Sequence, residues 1–185
     1  MSTKYRFTDK QANYFITGTV VGWTDVFTRN IYKDILVDSI KYCQTNQGLQ
    51  VHAWVIMTNH FHMIASCSGD NDLAMVIKNS KSFTALKIID AILNNKSESR
   101  RGWLDPILEK YGAMNKSNHK YQFWVTENHP ILLDLHTNMY NERMIYLHEN
   151  PVRAGFVLSP QDWLYSSTID YYTEKGKGMI AIYRG

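Results

Sequence analysis

The ten residues Val55-Ile56-Met57-Thr58-Asn59-His60-Phe61-His62-Met63-Ile64 constrain this chain more than any other stretch. Apolar runs flank a Thr-Asn step, and two histidines follow with one large apolar residue between them. On a strand, successive side chains alternate between faces. His60 and His62 therefore point one way, and Phe61 and Met63 point the other way into a core. Two imidazoles side by side on a rigid strand form half of a metal site. The short link at Thr58-Asn59 predicts an antiparallel hairpin from Gln50–Met57 and His60–Ser66.

The remaining elements follow from periodicity and breakers. Tyr14–Val21, rich in aromatic and β-branched residues, predicts a first strand that ends at Gly22-Trp23-Thr24-Asp25. Thr28 or Asn30 is the candidate cap of a helix to about Thr45, with Tyr32, Leu36, Ile40 and Cys43 as its apolar stripe. Gly48 suits a left-handed cap after it. An aspartate in the turn Gly69-Asp70-Asn71-Asp72 opens a helix over about Leu73–Leu93. Residues 94–120 read as a polar, irregular insertion with a short helix after Pro106, and Tyr121–Thr126 as a fourth strand. A helix over about Leu132–Asn150 carries the stripe Tyr140, Met144 and Leu147. Pro151 should end or kink it at Asn150. Phe156–Leu158 is a further short strand candidate. The first twelve residues are polar and expected to be loosely held, as is the stretch 174–178.

Without the last helix the order is βαββαβ, a ferredoxin-like arrangement. The predicted class is α+β: an antiparallel sheet with helices on one face, plus a C-terminal helix and tail. The expected division is one domain over 13–158 and a tail over 159–185. The 185 residues, 44% hydrophobic and 13% aromatic, are enough for a real core. Cys43 and Cys67 form no CxxC pair and fit a reduced, cytoplasmic setting as small apolar fillers. The N-terminus has no apolar signal-peptide core, and no apolar run approaches the roughly 18 residues of a membrane span. No membrane partner is expected. A net charge of +3 permits nucleic acid without demanding it. Residues 71–101 hold six basic side chains against three acidic ones, a local excess as large as that of the whole chain. Lys78, Lys81 and Lys87 on that helix form either a solvated face or a phosphate-contacting one.

Near the end of the last helix, Tyr146 and Asn150 are four apart and share a face, with Arg143 three before Tyr146. Packed across the sheet, that helix can bring Tyr146 and Asn150 over His60 and His62. Two imidazoles and an amide oxygen can hold a divalent metal and leave positions open for a phosphodiester oxygen. Tyr146 can then attack phosphorus. Its phenol, ordinarily titrating near pH 10, needs a cation's help, and Arg143 can supply that or stabilise the phosphate. Arg153 can bind a carbonyl or a phosphate. Trp163 can stack on a base or pack on the domain. His148, two after Tyr146, faces elsewhere and reads as structural.

These residues carry a resemblance. His60-Phe61-His62, after Val55–Asn59, resembles the histidine–hydrophobic–histidine (HUH) motif of single-tyrosine, IS200-like transposases. Tyr146-Leu147-His148-Glu149-Asn150-Pro151-Val152-Arg153-Ala154-Gly155-Phe156-Val157 resembles the nucleophile segment of REP-associated tyrosine transposases. Lys81-Ser82-Phe83-Thr84 and Asp162-Trp163-Leu164-Tyr165-Ser166-Ser167 are similar to further segments of that group. Thr58 stands where the group commonly has proline. The resemblance implies a protein that binds single-stranded or hairpin DNA, cuts it with a tyrosine, and uses Mg²⁺ or Mn²⁺. The cut leaves a 5′-phosphotyrosine and a free 3′-OH, and strands can be rejoined. Tyr146 is then the nucleophile, and His60, His62 and Asn150 the metal ligands. Lys78, Lys81, Lys87, Arg143 and Arg153 are the candidate DNA contacts. Two rivals keep the same residues: a silent DNA-binding domain, and a metal-dependent nuclease with a water nucleophile. Monomer and homodimer are both compatible with the sequence.

Overall fold

The computed structural model describes residues 7–10, 12–115, 120–126, 129–134, 137–173 and 178–184. Four strands form one antiparallel sheet: β1 (Tyr14–Thr19), β2 (Leu49–Ile56), β3 (His60–Cys67) and β4 (Ile131–Leu132), in the order β2-β3-β1-β4. This is the ferredoxin-like order. The predicted hairpin joins β2 to β3, and β1 lies between β3 and β4 with Thr17 opposite His62 and Thr19 opposite His60.

One face of the sheet is sealed by helices α1 (Asn30–Asn46) and α2 (Leu73–Asn94). Tyr14 and Ile16 of β1 and Phe61, Met63 and Ala65 of β3 enter that core with the α1 stripe and Ile77, Ile88 and Ile92 of α2. A bulge between Val51 and Ala53 lets β2 keep Leu49, Val51, Trp54 and Ile56 on this side. Gly18 is opposite Phe61, and its missing side chain makes room for the Phe61 ring. Any Cβ there would collide with that ring. Cys43 and Cys67 are buried free thiols, as expected.

The helix ends partly follow the sequence. Asp72 caps α2 by accepting from the Ala74 N–H at 2.8 Å, and Gly48 is left-handed at φ 68°. The N-cap of α1 is neither Thr28 nor Asn30 but Arg29, with no side-chain cap bond. The Thr28 hydroxyl is already donated to the Asp25 carbonyl in the preceding 3₁₀ turn.

Three element expectations need correction. Tyr121–Thr126 is not a strand: it makes a single isolated bridge, Val20 to Trp124, just past the end of β1. Phe123 and Trp124 are consecutive yet bury in the same core, which a pleated strand does not allow. The fourth strand is the two-residue β4, paired to Tyr14 and Phe15. The insertion is not irregular. It holds α3 (Arg101–Met114), which runs through Pro106 and buries Leu104, Leu108 and Gly112 at helical spacing. Before it, buried Glu98 binds Tyr32 at 2.7 Å, Arg100 at 2.9 Å and Arg29 at 3.2 Å.

The last long helix, α4 (Met139–Arg153), starts later than expected because β4 occupies its predicted first turn. It continues through Pro151 to Arg153. The proline lies in the final turn, where little helix remains for its missing donor to disturb, and the Ala154 N–H still reaches the Asn150 carbonyl at 3.0 Å. Phe156–Leu158 forms no strand. The chain folds back there, and Phe156 stacks on Trp163 with centroids 5.4 Å apart. The outer edge of β2 is covered by the segment that follows: Ile56 N–H bonds Tyr165, and Ser167 N–H bonds Trp54. A short helix α5 (Thr168–Tyr172) completes the described order. Trp163 packs, donating its indole N–H to the Ile56 carbonyl at 3.0 Å. Most of the stretches expected to be loosely held, residues 1–6 and 174–177, lie outside the described residues.

Candidate active site

The second face of the sheet is different. Phe15, Ala53, Val55, Met57 and Ile64 form a small apolar cluster with Leu133 and Leu147, against which α4 packs. At its edge, alternation places His60 and His62 side by side, ring centroids 4.7 Å apart, while Phe61 between them is buried on the other face.

Both imidazoles are oriented by their neighbours. The Asn59 amide donates its N–H to the Trp23 carbonyl at 3.3 Å, which turns its oxygen toward His60. That oxygen lies 2.6 Å from His60 Nδ1, so Nδ1 donates and Nε2 keeps its lone pair. His62 Nδ1 lies 2.8 Å from the Thr17 hydroxyl. Neither Nε2 has a hydrogen bond among the described residues. Burial lowers the His60 pKa, with Asp25 opposing. Burial pushes His62 down to about 3, helped by His60 and by the Arg143 charge. Both rings are therefore neutral at pH 7, the form that ligates metals.

Leu147, beside the tyrosine, is fully buried in the small cluster and fixes the rotation of α4. Tyr146 then stands over His62 at 5.5 Å between ring centroids and edge-on to Phe15 at 6.1 Å. Its hydroxyl makes no hydrogen bond among the described residues. Arg143 lies over the Phe15 ring at 5.4 Å, and Arg153 over the Tyr146 ring itself at 5.5 Å. The path of α4 runs from Tyr140 beside His52, past Tyr146 over His62, to the turn where Phe156 meets the Trp163 that holds Ile56. Ile56 pairs with Phe61, next to His60. Asn150, half-buried one turn beyond Tyr146, is thus carried toward the His60 end, with its carboxamide free of hydrogen bonds among the described residues.

The expected basic face is not part of this arrangement. Lys78, Lys81 and Lys87 lie on α2, across the sheet from the histidines. Lys78 and Lys87 are exposed. Lys81 is half-buried, donates to the Val125 carbonyl at 3.2 Å, and is brought down to about 8 by burial. It lines a cavity of about 390 Å³ between α2 and residues 121–126. His148 is buried and bonded to Ser167 at 2.8 Å, the structural role expected of it. His52, which carried no motif, meets Ser66 at 2.9 Å. Sequence reasoning missed Thr17, Asn59 and Phe15. Asn59 adjoins His60 in the chain and was within reach. Thr17 and Phe15 become visible only once the β1–β3 register is known.

The residues fit a metal centre of mixed donors. Among the described residues there is no cluster of three His, Cys, Asp or Glu side chains of metal-holding geometry. Two neutral imidazoles with their Nε2 atoms unengaged leave room for oxygen donors beside them, and the Asn150 carboxamide oxygen is of that kind.

Comparison with known proteins gives the chain a family. The model of the family described as "Transposase IS200 like" matches residues 11–106, more than half of the chain. The chain belongs to the IS200-like transposase family. The matched part of this transposase contains β1, the histidine hairpin and α2, and it ends before α4. A solved structure described as the REP-associated tyrosine transposase bound to a REP hairpin has the same fold. It is 17% identical, with a TM-score of 0.65 over 100% of this chain and 93% of that one. A candidate transposase of Deinococcus radiodurans R1 is 16% identical, with a TM-score of 0.46 over 78% of this chain and 96% of that one. No curated protein matches the chain. Among the described residues no helix of this transposase is long and apolar enough to cross a membrane.

Proposed function

We propose that this IS200-like transposase cuts and rejoins single-stranded or stem-loop DNA through a covalent 5′-phosphotyrosine at Tyr146. The observation that carries the reading is Tyr146 standing over His62 with its hydroxyl unengaged, beside two imidazoles held neutral.

Tyr146 Oη attacks phosphorus, a new O–P bond forms, and the bond to the 3′ oxygen breaks. The tyrosine's proton is given up, and the leaving 3′ oxygen takes one to become a free hydroxyl. The reverse attack by a 3′-OH restores the phosphodiester and releases the tyrosine. His60, His62 and Asn150 would hold Mn²⁺ or Mg²⁺, which supplies Lewis-acid polarisation of the phosphate. Asn59 and Thr17 keep the imidazoles aimed. Arg143 and Arg153 bracket Tyr146 and offer guanidinium groups to the phosphate and to the forming phenolate. In this reading Tyr146 acts with the histidines of its own chain, the arrangement its placement over His62 supports. Lys78 and Lys87, across the sheet, would hold DNA outside the cleavage site. Support for a hairpin substrate comes from the REP hairpin in the structure of similar fold.

The test is denaturing electrophoresis after incubating labelled stem-loop DNA with Mn²⁺ or Mg²⁺, with Tyr146→Phe alongside. A protein–DNA band in the unsubstituted chain alone supports the reading. Cleavage without such a band in both chains points to a water nucleophile, and DNA binding without cleavage to a silent binder.

A further inference from the structure

Trp23 follows β1 at the end of a 3₁₀ turn, and three observations single it out. Among the described residues it is the one non-glycine residue with positive φ, at 54°. A bulky residue in the left-handed region is a real outlier, and such outliers gather at functional sites. The side chain does not repay that conformation by burial, since Trp23 is 67% exposed. Its one ring neighbour among the described residues is His60, edge-on with centroids 6.0 Å apart. Phe156, also exposed, instead lies flat on Trp163, and exposed Phe83 is covered by Lys87.

The indole is tied to the histidine by more than proximity. The Trp23 N–H bonds the Val20 carbonyl at 3.1 Å, and its own carbonyl accepts from the Asn59 amide, whose oxygen orients His60. One side chain, Asn59, therefore sets the position of the Trp23 backbone and the aim of the imidazole together. A flat apolar surface is held in water at the rim of the site. Every nucleobase offers a π-face that stacks on such a surface, whatever its sequence.

We propose that Trp23 is a stacking platform for an unpaired base next to the scissile phosphodiester, and so positions single-stranded DNA over His60. This rests on the reading of the site as a DNA cleavage centre.

The test uses the full chain carrying Tyr146→Phe, in EDTA, so that neither metal nor chemistry contributes. Fluorescence anisotropy follows binding of a labelled oligothymidylate and of an abasic oligomer of equal length. Trp23→Asn removes the indole and tolerates the left-handed backbone, and thermal melting verifies its fold. Trp23→Phe restores a ring. Trp23→Asn should weaken oligothymidylate binding about tenfold, with Trp23→Phe recovering most of it. All three chains should bind the abasic oligomer equally. The salt dependence should not change, because the indole neutralises no phosphate. Equal binding of oligothymidylate by Trp23→Asn and its parent overturns the proposal. So does an equal loss on the abasic oligomer, or a parent that does not bind oligothymidylate. A DNA–protein link without the stacking contrast sinks the platform alone, and the contrast without a link sinks the covalent reading alone.

Discussion

On one side of the sheet, Tyr14, Ile16, Phe61 and Met63 meet α1 and α2 in an apolar core; on the other, from the same two strands, His62, bonded to Thr17 and beside His60, meets Tyr146 of α4, and Phe15 meets Arg143. The tyrosines make the contrast plain. Tyr14, Tyr32 and Tyr165, all in the first core, have bonded hydroxyls. Burial and Glu98 push Tyr32 up to about 12, and burial and Asp34 raise Tyr165 as well. The Tyr146 hydroxyl has no such partner among the described residues. One face uses its tyrosine hydroxyls to close the fold, and the other leaves the Tyr146 hydroxyl and the two histidine Nε2 atoms unengaged among the described residues. A two-residue period thus lets one strand serve stability and chemistry at once.

The contrast breaks most readily at the histidines. His60→Ala or His62→Ala should cut DNA cleavage by about 10²–10³-fold, the scale of losing one preorganised electrostatic group. Mn²⁺ binding should fall with it in calorimetry, while the melting temperature stays within a few degrees of the parent. A melting temperature that collapses would make the histidines part of the core.

The converse change is Glu98→Ala, on the side of α1 and α2. It should cost about 3 kcal/mol in urea denaturation, the scale of breaking a buried ion pair, with Mn²⁺ affinity unchanged. The pair also has a pH signature. Hydrogen bonding to Arg100 holds the Glu98 carboxyl down at about 2. Its contribution is present above the ordinary carboxyl pKa near 4.5 and is lost as the pH falls through 2.

Gly18→Ala tests whether the faces are coupled through the strand itself. The added methyl meets the Phe61 ring in the core, between His60 and His62 in sequence. A loss of about 2 kcal/mol is expected from overpacking, and cleavage should fall with it as the imidazoles shift. Loss of stability with full cleavage would show that the faces respond independently.

The second face has a pH dependence of its own. His60 and His62 are both depressed from the ordinary 6.5, His62 to about 3, chiefly by burial. Below pH 6.5 the unfolded chain binds protons that the fold refuses. Stability is therefore complete above pH 6.5 and is lost as the pH falls below it, for His62 down toward pH 3. His62→Asn should flatten that slope between pH 6 and pH 4 in urea titrations, without added metal.

Much of the second face could be read from local sequence. His-x-His fixes a shared side through the strand period, and Tyr146 and Asn150 share a side through the helix period. What stayed hidden depends on register or on a pattern that breakers obscure. β4 is two residues long and exists only through its pairing with Tyr14 and Phe15. The Leu104–Leu108 stripe of α3 is interrupted by Pro106 and flanked by Gly102 and Gly112 in the chain, so helical packing overrode poor local propensity. Lys81 reads as either solvated or phosphate-contacting because no local rule shows the Val125 carbonyl that it meets. Thr17 and Trp23 come to the histidines through strand pairing and a turn, neither of which has a motif.

The central claim is that Tyr146, and no other group, becomes joined to DNA. The measurement is mass spectrometry of the protein after reaction with stem-loop DNA and Mn²⁺, then digestion with nuclease and trypsin. Cleavage after Arg143 and Arg153 releases Met144–Arg153, a peptide whose only tyrosine is Tyr146, and leaves Tyr140 on a different peptide. A nucleotide mass on that peptide, located to Tyr146 by fragmentation, is the predicted result. Cut DNA with an unmodified peptide, or the nucleotide on Tyr140, would contradict the account.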